Sequence, residues 1–169
     1  SSDEFSLEGQ GAILERGCVD VIPLLEHLHL TDSFSASANP KSSTGRLDIF
    51  TRLITDRGEA FDRIDAGYRG ALYAEISPQT FPVLVRKGSR LSQLRIRRGS
   101  PQFSDTQLRR LHAETALVDI VDDKGEPNIE GGLGLSIALK GSGRIGWRAK
   151  RHTGLIDVDR PAALSPYDY

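Results

Sequence analysis

The hydrophobic positions of this chain fall in short runs, and glycine, proline or charged turn residues interrupt each run. The chain has 17 glycines and 8 prolines among its 169 residues. Short apolar runs bounded by turn residues are typical of β-strands. We therefore expect a mainly β fold. The pattern predicts five strands: Cys18–Leu24, Leu47–Ile54, Ala71–Ile76, Thr80–Val85 and Leu91–Arg97.

One segment carries the pattern of a helix instead. Ser104 is followed three residues later by Gln107, which is the spacing of a capping box, and Asp105 lies in the first turn. Leucines then recur at helical spacing, starting at Leu108. The pattern predicts one short helix over Asp105–Ala116.

The composition shifts after this helix. Asp122–Pro127 is a polar turn or linker, and Gly131–Trp147 carries six glycines between short apolar pieces, which favours new β structure. We therefore predict a β domain over residues 1–103, a helix and linker over 104–127, and the start of a second β domain over 128–169. The sequence contains no methionine, so we expect either a fragment of a longer chain or a sequence from which modified residues are missing.

The charge balance narrows the possible partners. The chain has 22 Lys and Arg against 23 Asp and Glu, which gives a net charge of -1. This balance argues against binding to a nucleic acid polymer. No apolar run approaches the roughly 18 residues that a membrane span requires, so we expect no membrane partner.

The supply of metal and disulfide ligands is small. A single cysteine, Cys18, rules out a disulfide framework and a cysteine-based zinc site. Because Cys18 lies in a predicted strand, we interpret it as a core residue. The four histidines support no metal site. A chain with one cysteine suits a reducing compartment, so we expect a cytoplasmic location.

The first candidate for chemistry is the polar stretch Asn39–Arg46. It places the cations Lys41 and Arg46 around three hydroxyl residues and a glycine. Backbone N–H groups in such a turn, together with hydroxyl donors, can form a concave anion site, and the two cations would favour a phosphate. The spacing is not that of a Walker A loop. From these residues alone, a phosphate site and a solvated surface turn both remain open.

The second candidate is the carboxylate of Glu75. It follows four uncharged residues, Ala71–Ala74, at the end of a charged turn that starts at Phe61. A carboxylate on a mostly apolar strand is unusual, and such a group can serve as a general acid or base near neutral pH. The alternative is that Glu75 faces solvent beside Tyr73 at every second strand position.

Three segments, taken in order, resemble the dCTP deaminases, a family within the dUTPase-like fold. Lys41–Arg46 is similar to that family's Arg-Ser-Ser-x-x-Arg motif. Arg63–Gly70, with Glu75 five residues later, is similar to its Arg-Ile-Asp-Pro-Gly-Trp-x-Gly-x-x-x-x-Glu motif. Gly88–Leu94 resembles the Gly-Asp-Arg-Ile-Ala-Gln-Leu strand shared with dUTPases. The later helix and glycine-rich section look like the longer, two-domain bacterial form.

The resemblance implies a fold, an assembly and a reaction. The fold would be a dUTPase-like distorted jelly roll, or β-clip barrel, over residues 1–103. It would assemble as a homo-oligomer with a trimeric or pseudo-trimeric arrangement and with sites between subunits. The reaction would be the zinc-independent deamination of dCTP to dUTP and ammonia, which supplies pyrimidine deoxynucleotides for dTTP synthesis.

The resemblance also implies three catalytic residues. Glu75 matches the glutamate that takes a proton from the water attacking C4 of cytosine and then helps ammonia to leave. Ser42 and Arg46 match residues that orient this water and stabilise the charge that develops at the base.

Further residues match the contacts to the triphosphate. Ser43 matches a phosphate-contacting serine, and Lys41 stands where the family commonly has arginine. Lysine keeps the positive charge but lacks the bidentate fork of arginine. Magnesium would accompany the triphosphate, held mainly by phosphate oxygens and water. Zinc is not expected, since the Pro-Cys-x-x-Cys motif of the zinc deaminases is absent.

The remaining matches surround the base and the sugar. Arg63 and Asp65 match the turn beside these groups, in which Ala66 replaces the family's proline. Tyr68 replaces the usual tryptophan and keeps an aromatic wall. Gln93 lies on the strand shared with dUTPases, where a ligand contact and a cross-strand hydrogen bond are both open.

Two other functions remain as alternatives. In a dUTP diphosphatase, or in an enzyme that performs both reactions, Asp65 would activate water and Tyr68–Gly70 would match the end of the corresponding motif. Glu75 would then have no assigned task in the diphosphatase. The further alternative is a non-catalytic module that binds nucleotide or serves in assembly.

Overall fold

The computed structural model describes residues 9–99, 102–119, 126–139, 141–150 and 154–163. The chain forms two compact units. The first unit contains residues 1–99 and 149–169, and the second contains residues 100–148.

Nine strands and one short helix form the described part of the first unit. The helix, α1, spans Ser42–Arg46. The strands are β1 (Ala12–Leu14), β2 (Asp20–His29), β3 (Phe34–Pro40), β4 (Ile49–Thr55), β5 (Arg63–Ile64), β6 (Arg69–Pro78), β7 (Val83–Val85), β8 (Ser92–Arg98) and β9 (Ile156–Asp157).

These strands pair into three small sheets. The sheet that carries Glu75 has the order β2-β6-β4, and both of its pairings are antiparallel. A second antiparallel sheet has the order β5-β3-β8. In the third sheet, β1-β7-β9, the short strand β9 runs parallel to β7. The prediction of a mainly β fold is confirmed.

The alternation of β6 gives the β2-β6-β4 sheet an inner and an outer face. Leu72, Ala74 and Ile76 are buried on the inner face, whereas Tyr73 and Glu75 point to the outer face. Two buried clusters lie against the inner face. One cluster joins it to the β1-β7-β9 sheet, and the other joins it to the β5-β3-β8 sheet. The core therefore leaves the outer face free to carry polar groups.

The strand predicted over Cys18–Leu24 differs from the observed strand β2. Gly17, at φ +78, helps to close a turn in which the Cys18 N–H donates to the Glu15 carbonyl at 3.2 Å. Cys18 therefore precedes the strand and is exposed, so its assignment to the core is wrong. β2 begins at Asp20 and continues past Leu24 to His29, because a bulge after Pro23 keeps it paired with β6.

The second unit contains the helix α2, Asp105–Glu114, and its capping box is confirmed. The Ser104 hydroxyl accepts from the Gln107 N–H at 3.3 Å, and the Gln107 side chain accepts from the Ser104 N–H at 2.9 Å. The helix ends two residues before the predicted Ala116, because Thr115 has an extended backbone at φ -148 and ψ 109.

New β structure was expected over Gly131–Trp147. In the described part of that range, Leu133 forms an isolated bridge with Ile129, and there is no strand. The expectation is therefore wrong for those residues. Apolar side chains there, such as Ile137 and Trp147, are exposed instead of packing on a neighbouring strand. The prediction for Asp122–Pro127 falls mostly outside the described residues. The division at residues 103 and 127 stays a prediction.

Candidate active site

Glu75 lies in the middle of β6, directly opposite Arg52 of β4 and Val21 of β2. Its side chain is only 16% exposed, and that of Arg52 is 32% exposed. The Arg52 Nε donates to Glu75 Oε1 at 2.9 Å, and Arg52 Nη2 donates to the same oxygen. The carboxylate is therefore half-buried and fixed through one of its two oxygens.

Two phenylalanine rings hold the Arg52 side chain. The centre of its guanidinium lies 3.6 Å from the ring centroid of Phe61 and 5.0 Å from that of Phe50. Both distances fall in the range of cation–π attraction. Sequence analysis missed Arg52. An arginine placed two residues after Phe50 on an apolar strand was the available signal, but its pairing with Glu75 depends on the register between two strands.

The loop between β4 and β5 is tied to the end of β4. The Leu53 N–H donates to Asp62 Oδ1 at 2.8 Å, and the Asp62 N–H donates to the Leu53 carbonyl at 3.0 Å. This clamp fixes the start of the segment that carries Arg63 and Asp65. Those two side chains form an ion pair at 2.9 Å and are both largely exposed. They are therefore accessible to a ligand.

Tyr68 closes the turn that follows. Its hydroxyl donates to the Ala71 carbonyl at 2.5 Å and accepts from the Asp56 N–H at 3.0 Å. A side chain at Gly70 would place its Cβ 2.8 Å from this hydroxyl, which explains why glycine occupies that position. The nearby carboxylate of Asp56 raises the pKa of Tyr73, and burial adds to the shift.

In the polar stretch 41–46, Lys41 caps the five-residue helix α1, which replaces the expected turn. Lys41 has an extended backbone and its N–H donates to the Leu91 carbonyl at 2.8 Å, so the helix starts directly at the end of a β-pairing. Thr44 is buried, whereas Ser42, Ser43 and Arg46 are exposed and Lys41 is half-buried. The buried Thr44 therefore anchors this segment, and the polar side chains that match the family motif face solvent.

Gln93 lies close to this segment. It is exposed on β8, opposite Asn39 of β3, and β3 leads through Pro40 into α1. Within the described ranges its side chain makes no hydrogen bond, so the cross-strand alternative has no support. Gln93 therefore lies near the start of α1, at the end of the β3–β8 pairing.

Glu75 and the residues of α1 lie in different groups within this chain. Glu75 and its partner Arg52 lie on the outer face of the β2-β6-β4 sheet. A second group contains Gln93 and α1, where Arg46 Nε donates to the carbonyl of Ser42 at 3.2 Å. Arg63, Asp65 and Tyr68 lie in neither group, in the segment that starts with β5 and leads into β6. No hydrogen bond joins Glu75 to Ser42 or Arg46 in the described part of the chain. Among the same residues, no group of three or more His, Cys, Asp or Glu side chains is placed to hold a metal ion.

Two family models match nearly the whole chain. The model of the 2'-deoxycytidine 5'-triphosphate deaminase N-terminal domain matches residues 1–100, and the model of its C-terminal domain matches residues 104–169. The chain belongs to the dCTP deaminase family. The resemblance carried by the three motifs is thereby confirmed.

A solved structure agrees with this membership. The crystal structure of 2'-deoxycytidine 5'-triphosphate deaminase from Agrobacterium tumefaciens is 52% identical to the chain and superimposes with a TM-score of 0.73. The match covers 94% of this chain and 47% of that protein, so the chain spans about half the length of this relative. No curated protein matched the chain. None of the described helices has the length and apolar character needed to cross a membrane.

Proposed function

We propose that the protein deaminates dCTP to dUTP and ammonia, which supplies pyrimidine deoxynucleotides for dTTP synthesis. Membership of the family and the 52% identity to a dCTP deaminase support this proposal. The observation that carries it is the state of Glu75, a half-buried carboxylate with Oε1 bound to Arg52 and Oε2 without a hydrogen bond from the described residues. Such a group can accept a proton from water held at Oε2.

The reaction then has two steps. Water attacks C4 of the cytosine ring while Glu75 takes one of its protons and passes that proton to ring atom N3. The remaining hydroxyl proton moves to the amino group, the C4–N bond breaks, and ammonia leaves as the C4 carbonyl forms. In this proposal Ser42 orients the water, and Arg46 stabilises the negative charge that develops at the base.

The remaining contacts follow the matches to the family motifs. Lys41 and Ser43 would bind the triphosphate. Magnesium would be bound through the phosphate oxygens, because this ion prefers phosphate and water as ligands. The base and sugar would lie against Arg63, Asp65, Tyr68 and Gln93. Zinc has no part in the proposed chemistry, and we propose a cytoplasmic location for the protein.

The proposal includes a trimeric or pseudo-trimeric assembly. Support comes from the separation of the two groups, since Ser42 and Arg46 form no hydrogen bond with Glu75 within the described chain. In an assembly of homologous domains, α1 of one domain would face Glu75 of another. Mixing full-length Glu75→Gln and Ser42→Ala proteins tests this arrangement, because hybrid sites with both native residues would restore activity.

The decisive experiment is product analysis on the full-length protein. The protein is incubated with magnesium and either dCTP or dUTP, beside a Glu75→Gln variant, and the products are separated by ion-exchange chromatography. We expect dUTP and ammonia from dCTP with the parent protein and almost none with the variant. Formation of dUMP and pyrophosphate would instead assign the dUTP diphosphatase reaction, and no conversion of either nucleotide would indicate a non-catalytic module.

A further inference from the structure

We propose that Arg52 is a positioning residue, which holds Glu75 by one oxygen so that the other oxygen faces the attacking water. This inference rests on the proposed deamination. Both donors of Arg52, Nε and Nη2, go to Oε1 of Glu75. A side-on pair of arginine and carboxylate would normally use both oxygens in parallel. The observed geometry therefore fixes the carboxylate without occupying Oε2.

The chemistry of the two partners assigns the proton to Glu75. A guanidinium group stays protonated under physiological conditions and has no acceptor atom. Arg52 can therefore neither take the proton of the water nor carry it away.

The pair is held in place from both sides. Arg52 and Glu75 are directly opposite each other in the β4–β6 ladder, so the backbone hydrogen bonds set their separation. The rings of Phe50 and Phe61 lie against the guanidinium. A side chain fixed by its strand and by two rings loses little further freedom in holding the base, which is what precise positioning requires.

The surroundings of Glu75 leave Arg52 as its main electrostatic partner. On β6 the next side chain on the same face is Tyr73, whose pKa is raised by the carboxylate of Asp56. On β2 the residue opposite Glu75 is the uncharged Val21. Loss of Arg52 would therefore leave the carboxylate without a charged hydrogen-bond partner among the described residues.

The test compares kcat and KM for dCTP in the full-length parent protein and in three variants. Arg52→Gln removes the charge, Arg52→Lys restores it with a single donor group, and Arg86→Gln is the matched control. Arg86 is 33% exposed, close to the 32% of Arg52, and it also pairs with a carboxylate, that of Asp157. The Arg86→Gln variant therefore measures the effect of losing a partly buried arginine–carboxylate pair that does not involve Glu75.

We expect Arg52→Gln to lower kcat by about tenfold to a hundredfold, the effect of misplacing a reacting group by a small distance. KM should change little, since Arg52 contacts Glu75 and not the substrate in this proposal. Arg52→Lys should recover part of kcat. Arg86→Gln should keep kcat and KM at the parent values.

The possible outcomes separate a failure of the inference about Arg52 from a failure of the proposed deaminase function. A parent protein that forms dUTP while Arg52→Gln keeps its kcat overturns the inference and leaves the deaminase function standing. A parent protein that forms no dUTP overturns both. If Arg52→Gln does not fold, Arg52→Met replaces it, because an apolar chain can still pack between Phe50 and Phe61. An Arg52→Met protein that folds with parent kcat would likewise contradict the inference.

Discussion

Two arginine–carboxylate pairs of the first unit have almost the same burial and different geometry. The side chains of Arg52 and Glu75 are 32% and 16% exposed, and those of Arg86 and Asp157 are 33% and 18% exposed. Among the described residues, Glu75 is held through one oxygen, Oε1. In the other pair, Arg86 Nη1 donates to Asp157 Oδ1 at 2.7 Å and Nη2 donates to Oδ2 at 2.9 Å. Burial alone therefore does not distinguish the carboxylate that we propose as the base from the carboxylate of Asp157.

The second pair is also part of a larger polar cluster. The Asp159 N–H donates to Asp157 Oδ1 at 3.1 Å, and Arg160 lies 3.4 Å from Oδ2. The hydrogen bonds from Arg86 hold the pKa of Asp157 at about 2, below its ordinary 3.8. Both oxygens of this carboxylate already accept hydrogen bonds from the protein, whereas Oε2 of Glu75 accepts none from the described residues.

The Arg86–Asp157 pair stabilises β9 in its sheet. This strand has only two residues, Ile156 and Asp157, and pairs in parallel with β7. Ile156 is buried in the core, and Ser89 donates a further hydrogen bond to Asp159 Oδ2 at 2.7 Å. A two-residue strand contributes few ladder hydrogen bonds, so the ion pair and the buried isoleucine hold it in the sheet.

The largest expected effect comes from neutralising Glu75, and the same change at Asp157 provides the comparison. Glu75→Gln should lower kcat for dCTP by about a hundredfold to ten-thousandfold, the usual contribution of general acid–base catalysis. Asp157→Asn is the matched change and should leave kcat unchanged at a temperature where the protein is folded. Steady-state kinetics of both full-length variants checks this. Equal losses of kcat in the two variants would refute the distinction between the pairs.

The next largest effect is a change in folding stability at low pH, which depends on Asp157. Because the pKa of Asp157 is lowered from 3.8 to about 2 in the folded protein, its ionised form stabilises the fold. This stabilisation is fully present above pH 3.8 and is lost as the pH falls toward about 2. Urea unfolding of the parent and of Asp157→Asn at a series of pH values measures it. We expect the parent to be more stable at pH 5 and the difference to shrink in acid. A constant difference would contradict the assignment.

A smaller effect tests the support of Arg52. Phe61→Leu removes the ring that lies 3.6 Å from the guanidinium. Since an exposed cation–π contact contributes about 0.5–1 kcal/mol, we expect kcat to fall about two- to fivefold. Phe103→Leu is the control, because Phe103 is an exposed phenylalanine of the second unit that makes no cation–π contact with the described residues. An equal decrease in both variants would show that Phe61 has no specific part in holding Arg52.

The smallest effect comes from a third carboxylate, which has no partner on one oxygen and no proposed task. Asp20 Oδ2 is buried without a hydrogen bond in the structure as described, and burial raises the pKa of this group above 3.8. The charged form therefore costs stability at neutral pH and costs none well below pH 3.8. We expect Asp20→Asn to raise Tm at pH 7 by about 1–3 °C and to lose this advantage in acid. An unchanged Tm at pH 7 would argue against the cost.

Local sequence patterns predicted part of this picture. The apolar alternation around Glu75, the strand Leu47–Ile54 and the capping box at Ser104 depend on neighbouring residues, so they could be read without the fold. β3 was missed because its buried residues, Ala36 and Ala38, carry little hydrophobic signal between serines.

The two ion pairs could not be predicted for a different reason. Arg52 and Glu75 are 23 positions apart, and Arg86 and Asp157 are 71 positions apart. Their contacts depend on which strands pair and in which register, and a local pattern contains neither. The three motifs identified the residues of the candidate site, whereas the geometry that distinguishes Glu75 from Asp157 required the fold.

Isotope transfer from water tests the central claim most directly. The full-length protein is incubated with dCTP and magnesium in water labelled with a heavy oxygen isotope, and the nucleotide products are analysed by mass spectrometry. We predict dUTP with one heavy oxygen at C4 of the uracil ring and none in its phosphates. Heavy oxygen in a phosphate group, with dUMP and pyrophosphate as products, or recovery of unchanged dCTP, would contradict the account.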